Sequence, residues 1–236
     1  MAETTVSADE IGRFDALAAR WWDPDGPMRP LHRMNPVRVA WIIDRIEGRG
    51  PSSAAPRILD IGCGAGLAAE ALARRGFNVL GLDAAGGAIE MARVHAAGQQ
   101  LPLAYRTGVA EDLVAEGAHF PVITALEVIE HVPDPAAFLA TLATLLEPQG
   151  LLVLSTLNRT PRSFITAKLG AEYLLRWLPV GTHDWRRFIA PVELAALLRD
   201  AGMRVTDIAG LALNPLTGRW HTVRDTAVNY IIAAAA

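Results

Sequence analysis

The chain has 236 residues, 51% of them hydrophobic, and a net charge of −3. That is enough to bury a full core as one domain, and it excludes the global basic field of a nucleic-acid binder. The single cysteine, Cys63, excludes an internal disulfide and fits a reducing compartment; no apolar run reaches the ~18 residues of a membrane span, and the opening MAETTVSADEIGRF lacks the features of a signal peptide.

In chain order, Ser7 or Asp9 can cap a first helix with Ile11, Phe14, Leu17 and Ala18 on one face. A second helix follows "NP" and carries Val37, Trp41, Ile42 and Ile46. These make residues 1–50 an N-terminal helical cap on a domain spanning 1–236. After the Gly/Pro/Ser-rich linker EGRGPSSAAP the pattern alternates. "RILDI" is a strand, Gly66 to Arg75 a helix, "NVLGLD" a strand and Ala88 to Ala96 a helix. "LAYRT" is a strand followed by a loop. "VITAL" is a strand, Pro135 to Leu146 a helix, and "GLLVLSTL" a strand. A helix runs from Pro191 to Gly202, and "RVTDIAGL" and "AVNYII" are further strands. This alternation predicts an α/β fold, a mostly parallel sheet with helices on both faces.

Asp60, Gly62, Gly64 and Gly66 form D-x-G-x-G-x-G at the end of the first predicted strand, and Asp83 ends the second. Glycines there let the chain turn sharply and let a ligand lie on bare backbone; an acid at the next strand's end can accept from both ribose hydroxyls. A dinucleotide loop needs G-x-G-x-x-G, but Leu67 holds the position of that third glycine. No basic partner for a diphosphate occurs nearby until Arg74. The spacing resembles the Rossmann-like class I S-adenosylmethionine (SAM) methyltransferases. Cys63, between two glycines, reads as a small loop residue rather than a nucleophile.

Other stretches narrow the resemblance. "FDALAARWWDPDGPMRPLHRMNPVR", "EVIEHVPDP", "STLNRT", "GAEYLLRWLPVGTHDW" and "VNYI" resemble the ubiquinone-biosynthesis O-methyltransferases over nearly the whole chain. The resemblance implies methylation of catechol hydroxyls on polyprenylated ubiquinone precursors, at both O-methylation steps. It also implies SAM contacts at Arg38, Gly62, Asp83 and Leu126, with Gly64 and Gly66 in the same loop and Ala110 and Glu111 near the adenine. Arg38 offers a guanidinium fork to the methionine carboxylate, and Leu126 can pack beside the cofactor. Other proteins of the pathway are candidate partners. Alternatives are a methyltransferase for a soluble phenol or amine, a NAD-dependent oxidoreductase, and a non-catalytic SAM-binding module.

A phenol with a pKa of about 10 must lose its proton to accept a methyl group. Glu127, Glu130 and His131 stand at i, i+3 and i+4 just past the fourth predicted strand, and a helical turn would put them on one face. Two readings stay open. His131 is the general base, oriented by Glu130 or Glu127. Alternatively the three hold a divalent cation, Mg²⁺ by the carboxylates or Zn²⁺ by the histidine, that lowers the catechol's pKa. The resemblance gives weight to the metal.

The segment 158–187 is long for a connection in this class. It combines Phe164, Ile165, Leu169, Tyr173, Leu174, Leu175, Trp177 and Leu178 with Arg159, Arg162, Lys168, Arg176, Arg186 and Arg187. It reads as a lid, as a contact with an anionic membrane surface, or as both. The resulting expectation is a cytoplasmic protein peripheral to the inner face of the membrane.

Overall fold

A computed structural model of the chain describes residues 11–12, 15, 17–49, 55–166, 185–214 and 216–236. Its strands are β1 (Arg57–Ile61), β2 (Asn78–Asp83), β3 (Leu103–Thr107), β4 (Phe120–Leu126), β5 (Leu146–Leu157), β6 (Arg204–Leu213), β7 (Trp220–Val223) and β8 (Asn229–Ala235). They form one sheet in the order β3-β2-β1-β4-β5-β8-β6-β7. β1 to β5 pair in parallel. β8 runs antiparallel between β5 and β6, and β7 is the antiparallel edge. The expected mostly parallel α/β sheet is present.

Side-chain alternation divides the core into two layers. Ile58, Val79, Val122 and Val153 pack with Ile42 of α1 (Arg29–Glu47) and Leu72 of α2 (Leu67–Ala73). Leu59, Leu82, Ile123 and Leu152 pack on the other face with α4 (Ala110–Ala115), α5 (Pro135–Leu145) and α6 (Pro191–Asp200). α3 (Gly86–Ala96) places Ala92 in a smaller cluster with Trp21, Met28, Ala65 and Leu67. Strands buried on both faces read as continuous apolar runs, which is why they were legible in sequence.

Three expectations need correction. α1 begins at Arg29, with Pro30 in its first turn and Pro36 inside it, rather than after Asn35–Pro36. The missing N–H of Pro36 is tolerated because the surrounding turn buries Met34, Asn35 and Arg38, and Asn35 Nδ2 donates to Leu67 O at 2.7 Å. The expected loop after β3 contains α4, whose six residues are too few for a periodic signal; it buries Ala110 and Leu113. β7 was not expected, because a four-residue edge strand shows little apolar alternation. Phe14 of the first predicted helix lies outside the described residues. No described helix is long and apolar enough to cross a membrane.

Candidate active site

The site forms where β1, β2, β4 and β5 end, the carboxyl edge where open α/β sheets bind ligands. After β1 the chain passes Gly62, Gly64 and Gly66 at φ of 64°, 53° and 89°. Side chains rarely adopt that left-handed region, so these three positions favour glycine. Space is closed there as well: a Cβ would strike Val128 at Gly62, Trp21 at Gly64 and Tyr105 at Gly66. Gly62 and Cys63 both donate to Leu82 O, at 2.8 and 3.2 Å, which ties the loop to β2. Burial pushes the Cys63 thiol well up, so it is an inert loop residue.

Asp83, ending β2, accepts from Gly64 N at 2.7 Å through Oδ2 and from Ala85 N at 2.8 Å through Oδ1. Burial pushes its pKa up, and those two N–H groups oppose the rise. Each oxygen keeps a further lone pair, so the acid that braces the loop can also accept from a ribose.

The β4 and β5 side of the edge holds buried charge. Arg38, 3% exposed, lies with Nη1 3.7 Å from Glu127 Oε1, and its Nε has no hydrogen-bond partner among the described residues. Asp60, 2% exposed, accepts from Thr124 Oγ1 at 2.6 Å through Oδ1, while Oδ2 is unpartnered among the described residues. Burial pushes Asp60 up to about 6, against Thr124 and the Arg38 charge. Ser155 Oγ donates to Glu127 Oε1 at 2.6 Å, and Thr156 Oγ1 donates to Glu130 Oε2 at 2.8 Å. Burial, reinforced by the charge of Glu127, pushes Glu130 up to about 8; Thr156 and Arg38 pull it down. Among the described residues, Asp60, Glu127 and Glu130 thus act on the Arg38 guanidinium, and Asp83 adds a further acid to the same sheet edge. Such a site favours a cationic nucleoside and repels a diphosphate, and buried orphan atoms on Arg38 and Asp60 fit a ligand with polar ends.

Glu127, Glu130 and His131 do not take the expected arrangement. Residues 127–131 form no helix: Glu127 has a φ of 58°, and His131 N closes a turn on Val128 O at 2.8 Å. Glu127 turns to Ser155 and Arg38, and Glu130 to Thr156. Among the described residues no group of three or more His, Cys, Asp and Glu gathers as a metal-holding set. The donors present therefore do not fit the expected divalent ion. Leu126 closes β4, buried in the layer shared with α1 and α2.

Glu130 also lines a cavity of about 580 Å³ with Ile129, Val132, Phe188, Ile189 and Leu197, within the range of ligand pockets. Sequence reasoning missed Thr124, Ser155 and Thr156. Their signal was a hydroxyl inside otherwise apolar strands, "VITAL" and "VLSTL".

A family model described as "Methyltransferase domain" matches residues 31–208. The ubiquinone biosynthesis O-methyltransferase of Dinoroseobacter shibae is 50% identical over 98% of this chain and 96% of that protein. The enzyme of the same name from Methylobacterium nodulans is 48% identical over 99% of this chain and 98% of its own length. Among solved structures, magnesium protoporphyrin IX methyltransferase from Synechocystis with bound SAH aligns at a TM-score of 0.66 and 19% identity, covering 96% of this chain and 99% of that one. A possible histamine N-methyltransferase from Thermotoga maritima aligns at 0.63 and 18%, covering 96% and 98%. At these identities the two structures share the fold.

Proposed function

The chain belongs to the methyltransferase-domain family and, within it, to the ubiquinone biosynthesis O-methyltransferases, and from that premise we propose that it methylates catechol hydroxyls of polyprenylated ubiquinone precursors, with Glu130 as the base. SAM supplies the electrophilic methyl on a positive sulfur. Gly62, Gly64 and Gly66 offer backbone to it, Asp83 accepts from its ribose, Arg38 pairs with its carboxylate, and Leu126 packs beside it. Asp60, Asp83 and Glu127 outnumber the guanidinium at this edge and favour that cation, while Glu130, pushed up to about 8, adds little to the charge at neutral pH.

One observation carries the base assignment. Glu130 is buried, lines the cavity, and is pushed up to about 8. A base near that value is matched to a phenol at about 10 while still ionised in part at neutral pH. Thr156 holds one oxygen of the carboxylate, which orients the other. Ile129, Val132, Phe188 and Ile189 supply apolar wall for the ring and the first part of the tail. His131→Ala is expected to cost less turnover than Glu130→Gln. Labelled methyl transfer from SAM to a short-tailed catechol tests the reading. No transfer to any catechol would sink it. A chelator that abolishes activity, with Mg²⁺ or Zn²⁺ restoring it, would replace the base by a metal.

The acceptor's tail keeps it in the bilayer, since each buried CH₂ is worth about 0.8 kcal/mol. The enzyme therefore comes to the lipid from the cytoplasmic side, through segment 158–187. Its mixture of apolar and basic side chains supports this, and Ile165 is 58% exposed at its described start. Leu174, Leu175 and Trp177 lie outside the described residues. Replacing those three with Ser is expected to abolish sedimentation with anionic liposomes and to spare activity on a tail-less catechol. Liposome binding equal to wild type would overturn the membrane assignment.

A further inference from the structure

Glu70 on α2 is fully buried, and the chemistry above makes no use of it. A buried carboxylate is costly unless paired, so its partners carry information. Arg74 Nη2 meets Glu70 Oε2 at 2.6 Å, and His95 Nδ1 of α3 meets Oε1 at 2.7 Å. A carboxylate in an ion pair only accepts, so His95 Nδ1 carries the proton. Gln99 Nε2 donates to His95 O at 2.6 Å, fixing the same turn.

The ring so fixed is a platform. The Trp22 indole lies flat on the His95 imidazole, centroids 3.4 Å apart and planes 4° apart, with His32 against it edge-on. Held there, Trp22 Nε1 donates to Ala65 O at 2.9 Å. Ala65 stands between Gly64 and Gly66, the two left-handed glycines of the cofactor loop. The Ala65–Gly66 peptide is thereby held at both ends: its carbonyl by Trp22, and its N–H by Cys63 O at 2.9 Å. Trp21 packs over Gly64 from the same segment, and His32 donates through Nε2 to Trp21 O at 2.8 Å.

A loop with three glycines has more backbone freedom to lose on binding than any other composition. Ordering it in advance is how a binding site avoids that loss. We propose that Trp22 and His95 are positioning residues for the cofactor: the His95 ring, fixed by Glu70, holds the Trp22 indole against Ala65 and keeps the glycine loop in its SAM-receiving shape. The N-terminal cap is then a working wall of the cofactor site. The inference rests on the SAM assignment of this loop and is independent of the catalytic base.

Calorimetry with SAM, and steady-state kinetics with saturating catechol, test it. His95→Ala removes platform and hydrogen bond together; SAM affinity is expected to fall about tenfold, with kcat at saturating SAM lowered less than threefold. His95→Phe keeps a ring under the indole, and Trp22→Phe keeps the stack and loses only the bond to Ala65; each is expected to fall about threefold. Because the two act as one strap, the Trp22→Phe, His95→Ala double variant is expected to weaken SAM by less than the product of the single effects. SAM affinity within 1.5-fold of wild type, on the order of noise against the expected hydrogen-bond effect, in the folded Phe variants would overturn the proposal. So would a loss confined to kcat. If His95→Ala does not fold, the two Phe variants decide. Wild type that fails to bind SAM would instead overturn the cofactor assignment beneath it.

Discussion

The two halves of the sheet edge are built from different materials. At the ends of β1 and β2 the site is mostly backbone: three left-handed glycines, an acid that accepts from two loop N–H groups, and an indole over the turn. At the ends of β4 and β5 it is side-chain charge: Glu127 and Glu130 held by Ser155 and Thr156 beside a buried Arg38. The first half is suited to holding a nucleoside whose shape does not change. The second is suited to moving a proton, because burial and like charge set the affinity for that proton. Binding and chemistry should therefore separate on mutation.

Glu130→Gln should separate them most sharply. Turnover is expected to fall by roughly 10² to 10⁴, while calorimetric SAM affinity stays within about twofold, since none of the loop contacts changes. Equal losses in both would erase the distinction between the halves. The wild-type rate should also rise with pH up to about 8 and flatten above it, because only ionised Glu130 accepts a proton. The stability has the opposite slope. Between the ordinary value of 4.5 and about 8, folded Glu130 keeps a proton that the unfolded chain has lost. Its contribution is whole below pH 4.5 and gone above about 8, so Glu130→Gln should gain on wild type in denaturant melts as pH rises through that window.

Arg38→Met attacks a cation shared by the halves. It leaves Asp60, Glu127 and Glu130 without their counter-charge, and about 3–5 kcal/mol of stability should be lost in urea titrations. A loss under about 1 kcal/mol would mean that water, not Arg38, balances these acids. Asp83→Ala breaks the cofactor half alone: SAM binding should weaken by roughly 2–3 kcal/mol, with less effect on the rate at saturating SAM. The smallest effect expected is from Thr156→Val. Losing that hydrogen bond, about 1 kcal/mol, should move the inflection of the rate–pH profile to higher pH, because Thr156 holds Glu130 down. A profile that stays in place would detach Thr156 from the base.

The sequence alone determined the order and type of most elements, and the glycine loop with the acid that follows it. Both follow from local rules. Two-sided burial writes parallel strands as apolar runs, and left-handed turns demand glycine at fixed spacing, as at Gly62, Gly64 and Gly66. The same local reasoning failed at Pro36, where burial of the surrounding turn keeps α1 helical through a proline, and at β7, a short edge. Only the tertiary structure decided the arrangement at the ends of β4 and β5. Helical spacing put Glu127, Glu130 and His131 on one face, but the chain turns at Glu127, and each glutamate pairs across to β5 instead. Arg38, Thr156 and Glu130 are far apart in the chain, and so are Trp22, Ala65 and His95. What a buried charge or a stacked ring does depends on which strand and helix ends the fold brings beside it, and no spacing along one segment encodes that.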